Sequence, residues 1–296
     1  MKKQRKSKNK TSRIIFSILF IVIVAVCCYY YDSTKSDVSI QTPQTSDFIL
    51  LSPSLEIPSC PLKNHADDHE IRNFKYYSLC YRESYEQAEW SAYCLLDSQL
   101  IKNAERTNDF RPDSQISTGS AELADYRKSG YDRGHLTPAA DMAFSEEAMS
   151  ETFFMSNMSP QTPKLNRGVW KDLEAQVRLW VKKFGRAYVV SGPVLNKPAD
   201  GFSSIGKNHV CVPDFYYKVI LVPLYKDDRD LQTPDDAENI MAIGFIIPNQ
   251  DAEGEFWNYA VSIDEVEQIS NIDFYYLLPD SVEDVVEADF DISRWN

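Results

Sequence analysis

Residues 132–141 read DRGHLTPAAD, with an acid, a forked cation, a glycine and a histidine in four successive positions. His135 is one of only four histidines in 296 residues. A neutral imidazole accepts a proton near pH 7, where few other side chains can. Arg133 offers planar, two-pronged recognition of a phosphate or carboxylate. Gly134 allows an approach that a β-carbon would block. Together these residues fit proton abstraction beside a bound anion.

A second chemical segment lies at 156–178, SNMSPQTPKLNRGVWKDLEAQVR. It holds Asn166, Arg167, Glu174 and Arg178, with the spacing i, i+8, i+12 from Asn166 to Glu174 and Arg178. On one continuous helix that spacing keeps the three near a common face. Asn is also a common helix cap. A bare Glu/Arg pair at i, i+4 is an ordinary surface ion pair worth a few tenths of a kcal/mol, roughly 0.2–0.5.

The order of these segments closely resembles the DNA/RNA non-specific endonuclease family, the ββα-metal nucleases that include the endonuclease G type and secreted bacterial nucleases. The resemblance is carried by LCY at 79–81, EW at 89–90, SGYDRGHL at 129–136, TFFMSNMSPQ at 152–161, LNRGVWKDLE at 165–174, SGPV at 191–194 and IGKNHVCVPDFYYKVIL at 205–221. It spans about Phe74 to Leu278.

That resemblance implies a metal-dependent hydrolase of DNA and RNA leaving 5′-phosphate ends. His135 is then the base that activates water. Asn166 is the single protein ligand to a hydrated Mg²⁺, with Mn²⁺ as a substitute. Glu174 holds water beside the metal, and Arg178 stabilises the phosphate or leaving group. Arg106 matches an arginine at the scissile phosphate, with Arg111 as the alternative because the alignment crosses a variable loop. Arg133 and Arg167 are expected at the substrate, while Asp132 and Asn157 support the site. Thr137 stands where relatives often carry a small apolar residue. Two other readings stay open: a phosphodiesterase or pyrophosphatase of small nucleotides on the same fold, and a surface nucleic-acid-binding protein without catalysis. Binding alone does not need His135, Asn166 and Glu174 together.

The elements that must position these residues are readable in part. Tyr76–Tyr81 and Trp90–Leu96 have the aromatic and apolar content of adjacent strands. Residues 164–184 predict a single helix, with Trp170, Leu173, Val177, Trp180, Val181 and Phe184 on its buried face and Gly185 at its end. Asn157–Pro163, with two prolines, reads as a loop. Further strands are expected near Ala187–Ser191, His209–Val212, Tyr217–Tyr225 and Met241–Ile247, and Ser262 with Glu265 forms a capping box for a helix through Ile269. Strands and helices do not alternate as βαβ units, so the class is α+β with a mostly antiparallel sheet flanked by helices. The resemblance adds a ββα-metal motif on one side of that sheet.

Seven Lys/Arg and no acid occupy residues 1–13, and an apolar run follows from Ile14 to Tyr31, broken only by Ser17. Eighteen helical residues span about 27 Å, near the roughly 30 Å of a bilayer core. The reading is a basic cytoplasmic tail at 1–13, a membrane signal anchor at 14–31, a flexible linker at 32–58 and an exported nuclease domain at 59–296. A cleaved signal peptide is the rival, but Ala25-Val26-Cys27-Cys28 is a poor cleavage site. A mitochondrial location and a homodimer are left open.

The chain carries a net charge of −13, and the tail contributes seven positive charges, so the remainder stands near −20. Nucleic-acid binders are usually basic, at least locally. Affinity must therefore come from a focused group, for which Arg106, Arg133, Lys164, Arg167 and Arg178 are the candidates. Among six cysteines, Cys60, Cys80, Cys94 and Cys211 fit either disulfides of an exported domain or buried thiols. His65 and His69, with Cys60 nearby, have helical zinc spacing, but HADDH lacks the metalloprotease glutamate and a zinc site is not expected. His209 is expected to be a strand histidine with a structural bond.

Overall fold

The computed structural model describes residues 54–59, 68–224, 234–250, 252–288 and 290–295. The expected membrane span at 14–31, most of the linker, Cys60 and His65 lie outside them. No helix among the described residues is long and apolar enough to cross a membrane.

Among the described residues there are eleven strands: β1 (His69–Asn73), β2 (Ser78–Arg82), β3 (Gln87–Leu96), β4 (Asp132–His135), β5 (Met158–Gln161), β6 (Arg186–Pro193), β7 (Ser204–Ile205), β8 (Val210–Cys211), β9 (Phe215–Pro223), β10 (Ile240–Pro248) and β11 (Ala260–Val261). Seven form one sheet in the order β1-β2-β3-β6-β9-β10-β11, every neighbouring pair antiparallel. β4 pairs with β5, and β7 with β8, as separate ribbons. The α-helices are α1 (Leu123–Tyr126), α2 (Glu146–Glu151), α3 (Pro163–Arg167), α4 (Val169–Phe184), α5 (Ile263–Ser270), α6 (Asp280–Ala288) and α7 (Ile292–Trp295). The α+β expectation with an antiparallel sheet flanked by helices is met.

Strand alternation sends side chains to two cores. Tyr93, Leu95, Val189, Ile220 and Val222 face one side, under Trp170, Leu173, Val177 and Trp180 of α4. Trp90, Ala92, Tyr188, Val190, Val219 and Leu221 face the other, under Ile263 and Val266 of α5 and Val282 and Val286 of α6. Each fully buried Val, Leu or Trp contributes on the order of 1.5–3 kcal/mol. Trp180 anchors the chain end: its Nε1 donates to the Trp295 carbonyl at 2.9 Å, and its ring meets Trp295 edge-on at 4.6 Å.

Three expectations are corrected. Asn157–Pro163 is not a loop, because β5 runs through it as a strand of the β4–β5 ribbon. Pro160 fits there because the outer edge of a two-stranded ribbon needs no ladder N–H, and its carbonyl accepts from Asn249 Nδ2 at 3.0 Å. Residues 164–184 are two helices, parted at Gly168, whose backbone leaves helical geometry (φ −113°, ψ −115°). A β-carbon on Gly168 would lie 2.6 Å from the Lys164 carbonyl oxygen. His209 is exposed in a turn at φ 55°, just before β8.

The described cysteines Cys80, Cys94 and Cys211 are free thiols. His69 lies on β1 as a buried residue, its Nε2 3.3 Å from Glu89 Oε1, and serves structure. Leu55 is fully buried and the Ser59 N–H donates to the Asp273 carbonyl at 2.8 Å, so the packed domain takes in residues from the end of the expected linker.

Candidate active site

β4 delivers His135 at the end of the ribbon. Gly134 is required there, since a β-carbon would meet the buried Gln161 side chain at 2.1 Å. The His135 ring packs edge-on against Phe153 at 5.0 Å and Phe110 at 5.8 Å. It is only 8 % exposed, and its Nε2 is buried without a hydrogen-bond partner among the described residues. Burial pushes its pKa down to about 3, with Arg106 and Arg133 pushing the same way. The ring is therefore neutral at pH 7.

The two arginines stand behind the two phenylalanines. Arg106 lies over Phe153 at 4.8 Å and Arg133 over Phe110 at 4.1 Å. Such stacking holds a cation without neutralising it. Neither has a carboxylate at ion-pair distance among the described residues. Arg106 donates from Nε to Asn108 Oδ1 at 3.0 Å. Arg111, the alternative, is engaged elsewhere: it bonds the Asp109 carboxylate at 2.8 Å and the Ser150 carbonyl at 3.0 Å, over Phe154. The structure thus brings Arg106, rather than Arg111, to His135.

Asp132 ties the ribbon to α3. Its carboxylate accepts from Asn166 Nδ2 at 3.0 Å and takes a two-pronged pair from Arg167 at 2.8 and 2.7 Å. Arg167, then Asn166, hold the Asp132 carboxyl below its ordinary range. The expected substrate contact of Arg167 must compete with this ion pair. Thr162 caps α3 and Pro163 opens it, which fixes where Asn166 sits. The bond from Nδ2 points the other amide atom, Oδ1, away from Asp132, and no hydrogen bond occupies it among the described residues. A half-buried neutral oxygen with a hard lone pair fits a largely hydrated Mg²⁺ or Mn²⁺.

Glu174 and Arg178 project from α4. Arg178 pairs with Asp141 at 2.6 Å, and Tyr93 Oη donates to the other Asp141 oxygen at 2.6 Å. Burial pushes the Glu174 carboxyl up to about 7, opposed by Lys218, reinforced by Asp141, and opposed by Arg178 and Arg106. Lys218 is fully buried on β9, bonded to Ser191 of β6 and 4.6 Å over the Trp170 ring. Burial lowers its pKa to about 8 against the pull of Glu174 and Asp141. Arg106 and Arg178 line one cleft of about 430 Å³ whose wall includes Ala139, Met149 and Leu179.

Asn157 is wholly buried and clamps the turn after His135. Its Oδ1 accepts from Thr137 N at 2.9 Å, and its Nδ2 donates to the Thr137 and Thr152 carbonyls, both at 3.0 Å. Thr137, which departs from the small apolar residue of relatives, bonds Ser91 of β3 at 2.7 Å. Sequence reasoning missed Asp141, Tyr93, Lys218 and Ser191. Lys218 had a signal, as the one charge inside the strand FYYKVIL, and Asp141 closes DRGHLTPAAD.

The profile of the DNA/RNA non-specific endonucleases matches residues 58–281. A nuclease of Nostoc sp. (strain PCC 7120) is 33 % identical over 270 residues, which is 86 % of this chain and 93 % of its own. The mitochondrial endonuclease G of Homo sapiens is 32 % identical over 216 residues, 69 % of each chain. The crystal structure of an EndoG/EndoGI complex superposes with a TM-score of 0.62 at 29 % identity, covering 71 % of this chain and 87 % of that one.

Proposed function

The chain belongs to the DNA/RNA non-specific endonuclease family, and from that membership we propose that it hydrolyses phosphodiester bonds in DNA and RNA with His135 as general base. The observation that carries this reading is the neutral, buried His135 ring set between two stacked, unneutralised arginines. A phosphate drawn to Arg106 and Arg133 offsets the part of the depression of His135 that comes from their charges, burial being the larger part. Substrate binding then raises the basicity of the ring at the moment water must lose its proton.

Asn166 is the residue that would hold the cation. A bound Mg²⁺, or Mn²⁺ in its place, supplies positive charge to the phosphate and its leaving oxygen. Glu174, once ionised, would hold water beside the metal by accepting its hydrogen bond. Arg178, held by Asp141, and Arg106 would stabilise the charge that develops on the phosphorane. Asp132 positions Asn166 from the ribbon side. We further infer, from the basic tail and the apolar run at 14–31 alone, that the domain is exported on an uncleaved N-terminal anchor.

A plasmid-nicking assay on the purified chain tests the mechanism. His135→Ala should lower the rate on the order of 10²–10⁴-fold, while circular dichroism and DNA affinity stay near wild type. Chelator should abolish activity, and Mg²⁺ or Mn²⁺ should restore it. Near wild-type nicking by the variant would remove His135 from the mechanism, and full activity in excess chelator would remove the cation.

A further inference from the structure

On the sheet face opposite α4, helices α5 and α6 meet in a group of acids that the nuclease site does not use. Asp264 and Glu267 stand one turn apart on α5, and Glu287 projects from α6. Each offers one carboxylate oxygen, and the three oxygens lie within 4.8 Å of one another. Glu287 is only 4 % exposed, and its Oε1 has no hydrogen-bond partner among the described residues. A buried, unpartnered carboxylate aimed at two other acids is costly unless a proton or a cation neutralises it.

We propose that Asp264, Glu267 and Glu287 bind a calcium-type divalent cation that clamps α6 to α5. All donors are hard carboxylate oxygens, with no thiolate or imidazole to favour zinc. Calcium accepts irregular all-oxygen shells with bonds of about 2.3–2.6 Å, whereas Mg²⁺ demands a near-ideal octahedron and dehydrates reluctantly. Asp264 is exposed, which leaves room for water to complete the shell. Glu267 is already oriented, since its Oε1 accepts from the Phe274 N–H at 2.7 Å and leaves the second oxygen for the ion. Val282 and Val286 of α6 cover the second core beside Asp273, where Ser59 joins the domain. A cation here would hold that cover in place.

The test uses the full chain in detergent, stripped of metal and melted with and without about 10 mM CaCl₂. At sub-millimolar affinity the wild-type melting temperature should rise by about 3–10 °C. Glu287→Gln and Glu267→Gln should lose the rise, and Asn166→Ala should keep it. Glu287→Gln keeps the side-chain shape and removes the buried charge, so in chelator it should melt at or above wild type. Calorimetric titration of the Asn166→Ala chain should still show one calcium site, and MgCl₂ at the same concentration should shift melting less. An unchanged wild-type melt, a full rise in Glu287→Gln, loss of the rise in Asn166→Ala alone, or an equal shift with Mg²⁺ would each overturn the assignment.

Discussion

His135 shows how a residue type readable in the sequence acquires its chemistry only from packing. DRGH announces a histidine beside an arginine, but Phe110 and Phe153, which pack on the ring and carry the two cations, come from distant positions with no spacing signal. The burial has a consequence for stability. In the unfolded chain the imidazole takes a proton near pH 6.5, whereas the native ring stays neutral down to about pH 3. Between those limits the unfolded state binds more protons, so stability falls as pH falls. Urea unfolding at about pH 7.5 and pH 5 should show the wild type losing on the order of 2 kcal/mol more than His135→Gln. Equal losses would mean that the native ring titrates freely. Glu174 is the opposite case. Its raised carboxyl must ionise to act, so activity should fall as pH falls through about 7. Lys218→Met removes the cation that most opposes this rise. The acid limb of its pH–rate profile should therefore move upward, and an unmoved limb would separate Lys218 from Glu174.

At the scale of elements, strand and helix content was legible wherever one buried face repeated, as in β3, β9 and the Trp170-Leu173-Val177-Trp180 stripe of α4. The joints between elements were not. Gly168 interrupts no hydrophobic pattern, and a glycine inside a helical period is usually tolerated. The break exists because α3 must turn to carry Asn166 to Asp132, a contact 34 residues away in sequence. Asn166 and Glu174 therefore do not share one helix face, as the i, i+8 spacing had implied. Gly168→Ala should test the joint. The added carbon meets a backbone oxygen that cannot swing aside, so α3 should shift against α4. The Mg²⁺ concentration for half-maximal nicking should rise on the order of tenfold, as when an orienting partner of a metal ligand is lost. Unchanged metal dependence would show that Asn166 is positioned without the joint.

The whole molecule sets an acidic body against a small basic site. With the tail's seven charges set aside, the remaining chain stands near −20. A polyanionic substrate therefore meets net repulsion, and the stacked, unpaired Arg106 and Arg133 must supply local attraction that salt weakens. The same acidity suits a domain held away from other surfaces, as on a tether. Lys2 to Arg13 before the 18-residue apolar run from Ile14 to Tyr31 favours a cytoplasmic N-terminus with the nuclease outside. The stretch that follows is rich in Ser, Thr and Pro, whereas Leu55 is fully buried and Ser59 is bonded to Asp273. Protease added from the non-cytoplasmic side should thus release an active domain by cutting between about residue 32 and residue 53 and spare 54–59. The uncut chain should fractionate with membranes. A soluble mature chain beginning near Tyr29 would establish a cleaved signal peptide, and cleavage only from the cytoplasmic side would reverse the orientation and end the case for an exported enzyme.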